Sequence, residues 1–465
     1  MRGLPRLVLG LVVVASCLAV APARAGLFAG RVRREGQWLR DGRGRVLVLR
    51  GLNYSGLEFG NFVGMPHGPE EADFAQMASW GVDVIRLPVA WHYLEPAPGV
   101  FDAEHLRTQV DTVVRFAARH EIGVVLELHQ FLWSPCLGGN GVPAWTCEGK
   151  YEPGPGAPFQ AQHDFWAGAL APDGRRLIDH LLDVWRRLAR HYRGWKSVVG
   201  FDFLNEPVDF GDASFEAHSL YPFYREAVAA VRGAHAPQMV VLEPPVLRNV
   251  GVRARPEPVG DSNLVYAPHL YTTTFGLPEL KYTGDRAAID RDYAQAAAEA
   301  AEQDAVLWVG EYGGSTVAAG GFLAATELFL RHSLEEQEER LVGSAFWAYF
   351  PGDNTFSLVD EEGREKGALA DVLARPYPVA TAGIPQELRY DPVTHDFFYR
   401  FAEDSEREVG DPTVVFVPAA RQYPRGFAVE TSPGDRATFD AARSRILIHR
   451  DRSRAVHTLR LRAAP

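Results

Sequence analysis

Residues 198–207 read Val-Val-Gly-Phe-Asp-Phe-Leu-Asn-Glu-Pro, an apolar run that closes on an amide, a carboxylate and a proline. Its β-branched and aromatic residues are typical of a buried strand, which the proline ends. Asn205 and Glu206 therefore fall at the carboxyl end of the predicted strand. In a parallel barrel, that end of each strand opens onto the functional face.

Seven other runs have the same character, at residues 46–54, 82–91, 122–130, 239–245, 264–271, 306–312 and 343–350. Longer amphipathic stretches, such as 103–119 and 175–192, are typical of helices and separate many of them. Strands that alternate with helices predict a parallel sheet, and eight such units predict a (β/α)8 TIM barrel. A doubly wound open sheet is the alternative, but the sequence lacks the Gly-rich phosphate turn that normally follows an early strand there.

The helix–strand rhythm stops near Arg375-Pro376-Tyr377-Pro378, and short alternating runs follow it. About 80 such residues predict a small C-terminal β-sandwich. We therefore expect a signal peptide at 1–25, a catalytic barrel at 26–380 and the sandwich at 381–465.

The N-terminus combines arginines, an apolar run from Leu7 to Val20 and the small-residue site Ala23-Arg24-Ala25. This layout predicts a secretory signal peptide and a secreted or periplasmic protein. A lipoprotein box around Cys17, which would tether the protein to a membrane, is the alternative. No later apolar run in the sequence reaches the length needed to span a bilayer.

Cys136 and Cys147 are the two cysteines outside this leader. They flank a Gly-rich turn, and export would place them in an oxidising compartment, so we expect a disulfide. Two unpaired loop thiols are the alternative.

The formal net charge of −11 is spread along the chain, which argues against nucleic-acid binding and favours a neutral or zwitterionic partner. The sequence lacks His-Glu-x-x-His, Cys-x-x-Cys and a Gly-x-Ser-x-Gly elbow. We expect no metal and no cofactor.

Glu206 and Glu311 each end an apolar run, on the fourth and seventh predicted strands. A barrel brings both strand ends into one mouth, and two converging carboxyl groups are what glycosidic bond hydrolysis requires. A solvated loop charge is the alternative for either glutamate alone. The other strand-end residues that we expect around the pair are Arg86, His129, Asn205, His269, Tyr271 and Trp347, although His129 could also be a core histidine and Arg86 a structural ion-pair partner.

The two glutamates would need different protonation states. The acid must begin protonated, and the nucleophile must begin ionised. We expect Tyr271 and Arg86 to keep Glu311 ionised, and the nearby negative charge to keep the proton on Glu206.

Five ordered motifs resemble glycoside hydrolases of family 5, in clan A: Arg50-Gly51-Leu52-Asn53, Ile85-Arg86-Leu87-Pro88, Leu204-Asn205-Glu206-Pro207, His269-Leu270-Tyr271 and Gly310-Glu311-Tyr312-Gly313. The resemblance implies that Glu206 is the acid/base and Glu311 the nucleophile of a retaining enzyme. It also implies that Arg86, His129, Asn205, His269, Tyr271 and Trp347 line the sugar subsite.

Within that family, residues 139–145, which end in Trp145, and residues 375–378 resemble the endoglycoceramidase and glycosylceramidase-like group. The resemblance implies hydrolysis of the β-glycosidic bond between a sugar and a lipid aglycone, with Trp145 at the substrate. Two departures concern sugar recognition. Glu127-Leu128-His129-Gln130-Phe131 stands where the group typically has Asp-Met-His-Gln-Asp, and Tyr54 follows Asn53 where a lysine is frequent.

Two alternatives stay open, namely a β-glucanase or exo-β-glucosidase for soluble saccharides and an inactive glycan- or lipid-binding protein. The aglycone side of the site would distinguish a glycolipid hydrolase from an enzyme for soluble saccharides. The residues concerned are the apolar loop residues Phe59, Phe62, Phe131, Leu132, Trp133 and Trp145. We expect a monomer that can contact a membrane peripherally.

Overall fold

The computed structural model describes residue 28, residues 30–60, 68–272 and 274, and residues 281–352 and 355–464. The predicted signal peptide at 1–25, Cys17 and Phe62 lie outside the described residues. Among the helices that are described, none is long and apolar enough to cross a bilayer.

Eight parallel strands close into a barrel, which confirms the predicted fold class. In chain order they are Arg50–Tyr54, Val84–Ala90, Gly123–His129, Val198–Asp202, Met239–Leu242, Leu264–Tyr266, Val306–Gly313 and Gly343–Tyr349, and the short strand His269–Leu270 continues the sixth. Closure occurs where Ser344 on the eighth strand pairs with Arg50 on the first. Most of these strand residues are buried because helices cover the barrel, which explains why the runs are mostly apolar.

The helices that follow the strands are amphipathic or apolar on the face that packs on the barrel. They are Glu71–Ser79, Asp111–Arg119, Leu177–Tyr192, Tyr221–Gly233, Arg286–Glu302, Phe322–Arg340 and Gly367–Leu373. Shorter helices lie at Trp91–Leu94, Ala103–His105, Ala157–Trp166 and Ala419–Gln422. The link 243–263 between the fifth and sixth strands is fully described and has the 3-10 turn Val246–Val250 in place of an α-helix.

The C-terminal part is a sandwich of two antiparallel sheets. One sheet has the strand order Arg33–Glu35, Trp38–Arg40, Val46–Leu47, Tyr377–Thr381, Thr413–Phe416, Arg445–His449 and Arg436–Asp440. The other has the order Ile384–Tyr390, Phe397–Ala402, Val456–Ala463 and Phe427–Thr431. The predicted run 46–54 is thus divided between this sandwich and the barrel, and the boundary predicted at residue 380 falls inside Tyr377–Thr381.

The central strands of the larger sheet, Val46–Leu47, Tyr377–Thr381 and Thr413–Phe416, are buried on both faces. Val414 and Phe416 pack with the barrel residues Val84 and Trp308, whereas Val415 faces the sandwich core. This alternation follows from the two-residue period of a strand. The sandwich therefore covers the amino end of the barrel and leaves the carboxyl end open.

Candidate active site

Glu311 lies on the seventh barrel strand with its side chain almost fully buried. Arg86 Nη1 donates to its Oε1 across 2.7 Å. Tyr271 Oη donates to its Oε2 across 2.9 Å. Both carboxylate oxygens are therefore held by donors on other strands, which fixes the orientation of the group.

Glu206 follows the fourth strand, and its side chain is 15 % exposed. His269 Nδ1 lies 2.9 Å from its Oε1, and Asn249 Nδ2 donates to the same oxygen. Its backbone has a φ of 45°, in the left-handed region that non-glycine residues rarely adopt. Such strain is concentrated at functional sites, where the surroundings enforce it.

The two glutamates converge on His269. One oxygen of Glu206, one oxygen of Glu311 and a ring nitrogen of His269 all lie within 4.8 Å of one another. Retaining glycosidases place their carboxyl groups about 5 to 5.5 Å apart, whereas inverting enzymes need about 6.5 to 9.5 Å for a water molecule. This geometry suits a nucleophile and an acid/base.

Arg86 is fully buried at the centre of the site. Besides Glu311, its guanidinium contacts Asp202 at 2.8 Å, Glu243 at 2.5 Å and Glu127 at 3.6 Å. It also donates to Asn53 Oδ1 and Asn205 Oδ1, each across 3.0 Å. One positive charge thus faces four carboxyl groups, so not all of them can hold their negative charge at neutral pH.

The pKa values follow from this crowding. Burial raises the pKa of Glu127 and of Glu243 well above the usual range. Burial also raises the pKa of Glu311 to about 7, against the pull of His269 and Arg86.

The pKa of Glu206 moves the other way. Burial pushes it up, but the hydrogen bond and the electrostatic attraction of His269, together with the hydrogen bond from Asn249, outweigh burial and hold this pKa below its usual range. The order expected from the sequence, with the proton on Glu206, is therefore reversed. For Glu206, the neighbouring donors lower the pKa by more than burial raises it. For Glu311, burial raises the pKa by more than the neighbouring donors lower it.

His129 and Trp347 form one wall of the site. Their rings stack with centroids 5.6 Å apart and planes 14° apart. His129 Nδ1 lies 3.0 Å from Glu127 Oε2, and burial lowers the pKa of His129 to about 4, so the ring is neutral. Nε2 is the nitrogen left over to hydrogen-bond a substrate.

Asn205 contacts protein groups in this structure. Its Nδ2 donates to the Gln130 backbone oxygen across 3.0 Å, and Gln130 Nε2 donates back to the Asn205 backbone oxygen across 3.0 Å. These bonds join the ends of the third and fourth strands. Its expected place in the sugar subsite stays a prediction.

Trp145 lies in the loop after the third strand, where it packs edge-on against Trp91 and His180 with centroids 5.7 and 5.3 Å away. Its indole nitrogen donates to the Glu95 backbone oxygen across 2.9 Å. The ring is thus part of the packing of this loop, and its predicted contact with substrate stays a prediction. The same loop contains the disulfide Cys136–Cys147, which confirms the expected bridge.

Three polar residues of the site were not singled out from the sequence, namely Asp202, Glu243 and Asn249. The signal for Glu243 was present, because residues 239–243 read Met-Val-Val-Leu-Glu and end in a carboxylate as the runs before Glu206 and Glu311 do. Asn249 lies in the 3-10 turn after the fifth strand, where no periodicity marks it.

Comparisons with known proteins agree with this site. Residues 41–351 match the family model "Cellulase (glycosyl hydrolase family 5)", and residues 375–461 match the "Glycoside hydrolase family 5 C-terminal domain". Endoglycoceramidase I of Rhodococcus hoagii is 27 % identical over 445 residues, which cover 89 % of this chain and 84 % of that protein.

Solved structures of endo-glycoceramidase II from a Rhodococcus species are similar over the whole described fold. Its complex with ganglioside GM3 has a TM-score of 0.78 and 25 % identity, and the match covers 93 % of this chain and 100 % of that one. Its lactosyl-enzyme intermediate has a TM-score of 0.77 and 26 % identity, with 92 % and 100 % covered. The predicted resemblance is confirmed.

Proposed function

The chain belongs to glycosyl hydrolase family 5, and from that membership we propose that it releases the saccharide of a glycolipid by hydrolysing the β-glycosidic bond to the lipid. It is a retaining glycosyl hydrolase. The observation that carries the proposal is the convergence of Glu206 and Glu311 within 4.8 Å, in a chain similar to endoglycoceramidases over most of its length.

Glu311 is the nucleophile of this proposal, because Arg86 and Tyr271 aim both of its oxygens and stabilise its charge. It attacks the anomeric carbon while Glu206 gives a proton to the leaving oxygen, which forms a covalent glycosyl-enzyme. Glu206 then takes a proton from water, and that water releases the sugar with the β configuration. Glu206 suits this second role because it is partly exposed at the mouth.

The sugar lies between the glutamates and the wall made by His129 and Trp347. The half-buried indole of Trp347 offers an apolar face to a pyranose ring, and the neutral His129 offers Nε2 to a hydroxyl. The stacking of these two rings keeps both in place. This wall is compatible with a neutral hexose.

Apolar side chains at the open end of the barrel support a lipid aglycone. Phe59, Phe131 and Phe210 are 40 %, 54 % and 55 % exposed, and they follow the first, third and fourth strands. Phe59 stacks on Phe350 with centroids 5.5 Å apart. Exposed apolar groups gathered at a catalytic mouth mark a site for an apolar partner.

Trp133 differs from this set, because it is buried and packs edge-on against Phe165. Of the aromatic residues considered for the aglycone, Trp133 and Trp145 thus contribute to loop packing, whereas Phe59 and Phe131 face solvent. Peripheral contact with a membrane, through these exposed residues, is part of the proposal.

A glucanase or exo-glucosidase for soluble saccharides would share the barrel and both carboxyl groups. The test is to incubate the enzyme with GM3, lactosylceramide, glucosylceramide, galactosylceramide and cellotetraose, and to identify products by mass spectrometry. We expect free ceramide and an intact saccharide, with the Glu311→Gln variant inactive. Turnover of cellotetraose together with no release of ceramide from any glycolipid would favour the alternative.

Export is also part of the proposal. The leader layout at residues 1–25 and the disulfide Cys136–Cys147 both fit an oxidising compartment. Mass spectrometry of the N-terminus of the mature protein is the test. A chain that starts at Gly26 supports a signal peptide, a lipid-modified Cys17 supports a tether, and a chain that keeps Met1 contradicts export.

A further inference from the structure

Glu243 is a further buried glutamate of the site, directly after the fifth barrel strand, and it is 2 % exposed. Its Oε2 accepts the backbone N–H of Glu206 across 2.8 Å and lies 3.3 Å from Nε2 of His269. Its Oε1 accepts from Arg86 Nη2 across 2.5 Å. One carboxyl group thus contacts the main chain of the acid/base, the imidazole beside it and the guanidinium that holds the nucleophile.

The contact with the main chain matters because Glu206 is strained. A φ of 45° at a residue with a Cβ is unfavourable unless neighbouring groups enforce it. Glu243 holds the N–H of Glu206, and Gln130 Nε2 donates to the carbonyl of Glu206 across 3.3 Å. These two bonds set the direction in which the Cα–Cβ bond of Glu206 points.

The contact with His269 matters because the ring lies between two glutamates, with Nδ1 at 2.9 Å from Glu206 Oε1 and Nε2 at 3.3 Å from Glu243 Oε2. Burial raises the pKa of Glu243 well above its usual range, and the nearby Arg86 guanidinium opposes that rise. Oε2 of Glu243 thus lies against both the N–H of Glu206 and the ring of His269, the two groups that place the carboxyl of Glu206.

We propose that Glu243 is the positioning residue of the acid/base, fixing both the main chain of Glu206 and the ring of His269 so that the carboxyl of Glu206 meets the leaving oxygen. This role rests on the proposed function, since it needs a leaving group that must be protonated. Glu243 itself does not touch the substrate. Its effect on the rate therefore depends on the leaving group.

The Glu243→Gln variant tests this role. A glutamine offers one oxygen and one NH2, so at least one of the contacts with Glu206 N–H and Arg86 becomes donor against donor. The substrates are phenyl and 2,4-dinitrophenyl β-lactosides and β-glucosides, because a phenol must be protonated as it leaves and a dinitrophenol need not be. General acid catalysis contributes about 10²- to 10⁴-fold.

We expect kcat/KM for the phenyl glycoside to fall by about tenfold or more beyond any fall for the dinitrophenyl glycoside, a part of that acid contribution. The matched control is Glu338→Gln, since Glu338 is also a buried glutamate, paired with Arg50 at 3.0 Å and Arg375 at 3.4 Å near the start of the first strand. The control should leave the ratio of the two substrates unchanged.

An equal fall for both substrates would reduce Glu243 to a structural residue and overturn the inference. If Glu243→Gln loses its cooperative thermal transition, Glu243→Asp replaces it, because its shorter side chain keeps the carboxyl group but cannot span all three contacts, and the same ratio decides. Failure of the wild-type enzyme to cleave either aryl glycoside or any glycolipid would instead overturn the proposed function.

Discussion

The hydroxyl of Tyr271 donates to Oε2 of Glu311 across 2.9 Å, from the end of the sixth strand to the seventh. Because this bond favours the charged carboxylate, it holds down a pKa that burial raises to about 7. Tyr271 therefore affects how much of the enzyme carries an ionised nucleophile at a given pH.

The Tyr271→Phe variant should lose activity in a pH-dependent way. Loss of the bond raises the pKa of Glu311 further above 7, so a larger fraction of the variant has a protonated nucleophile near neutral pH. A hydrogen bond to a charged group contributes about 1.5 to 3 kcal/mol, so we expect kcat/KM for a dinitrophenyl glycoside to fall by about 10- to 150-fold near pH 6 and by less near pH 9. The same fall at both pH values would contradict this role.

Two kinds of substrate should show opposite pH dependence. A dinitrophenyl glycoside needs only an ionised Glu311, so its kcat/KM should rise as pH increases through about 7, where this carboxyl loses its proton. A phenyl glycoside also needs a proton on Glu206. The enzyme form that can supply this proton is the one in which the two glutamates together hold a single proton. Because the pair loses that proton as pH increases through about 7, kcat/KM for the phenyl glycoside should fall over this pH range.

Rate measurements for both substrates from about pH 4 to about pH 10 check this prediction. The Glu206→Gln variant is the control. It removes a negative charge that raises the pKa of Glu311, so the rising limb of the dinitrophenyl substrate should move to lower pH. Parallel profiles for the two wild-type substrates would show that the two glutamates do not share a proton.

The positions of Glu206 and Glu311 could be predicted from the sequence, because a polar residue at the end of an apolar run marks the carboxyl end of a strand. Both glutamates were found in this way, whereas Arg86 lies inside the strand Val84–Ala90 and not at its end. Their pKa order could not be predicted, since it depends on which donors face each carboxyl. The hydrogen bond from Asn249 to Glu206 comes from a turn that has no periodic signal.

The division of the first apolar run also needed the structure. Residues 46–54 read as one strand, yet Val46 and Leu47 pair with the C-terminal sheet and Arg50 begins the barrel. Both parts are buried, so hydrophobicity alone does not separate them. Only the long-range pairing of Val46 with Thr381 does so.

Exposed phenylalanines at the mouth should affect lipid substrates selectively. We expect the double variant Phe131→Ser and Phe210→Ser to raise KM for GM3 in detergent micelles by about tenfold, because two partly exposed side chains of this size contribute about 1.5 kcal/mol or more to an apolar contact. KM for a dinitrophenyl glycoside should stay within about twofold, as expected for a surface change that the sugar does not meet.

The control for this pair is Val393→Ser. Val393 is 86 % exposed, in a turn of the sandwich between Ile384–Tyr390 and Phe397–Ala402, so it should leave both KM values unchanged. An equal rise in KM for GM3 and for the aryl glycoside in the Phe131 and Phe210 variant would show that these residues shape the sugar subsite.

Azide can separate the roles of the two glutamates through the anomer that it produces. In Glu206→Ala, a dinitrophenyl β-glycoside can still form the glycosyl-enzyme, because its leaving group needs no proton. Azide then attacks the intermediate in place of water, without help from a base, and the product is a β-glycosyl azide. In Glu311→Ala the covalent intermediate cannot form, so azide attacks the substrate directly from the opposite face and gives the α-glycosyl azide.

We expect azide to restore turnover of both variants, and proton NMR of the anomeric hydrogen distinguishes the products. An α-azide from Glu206→Ala together with a β-azide from Glu311→Ala would mean that Glu206 is the nucleophile, in spite of the two donors that hold Glu311.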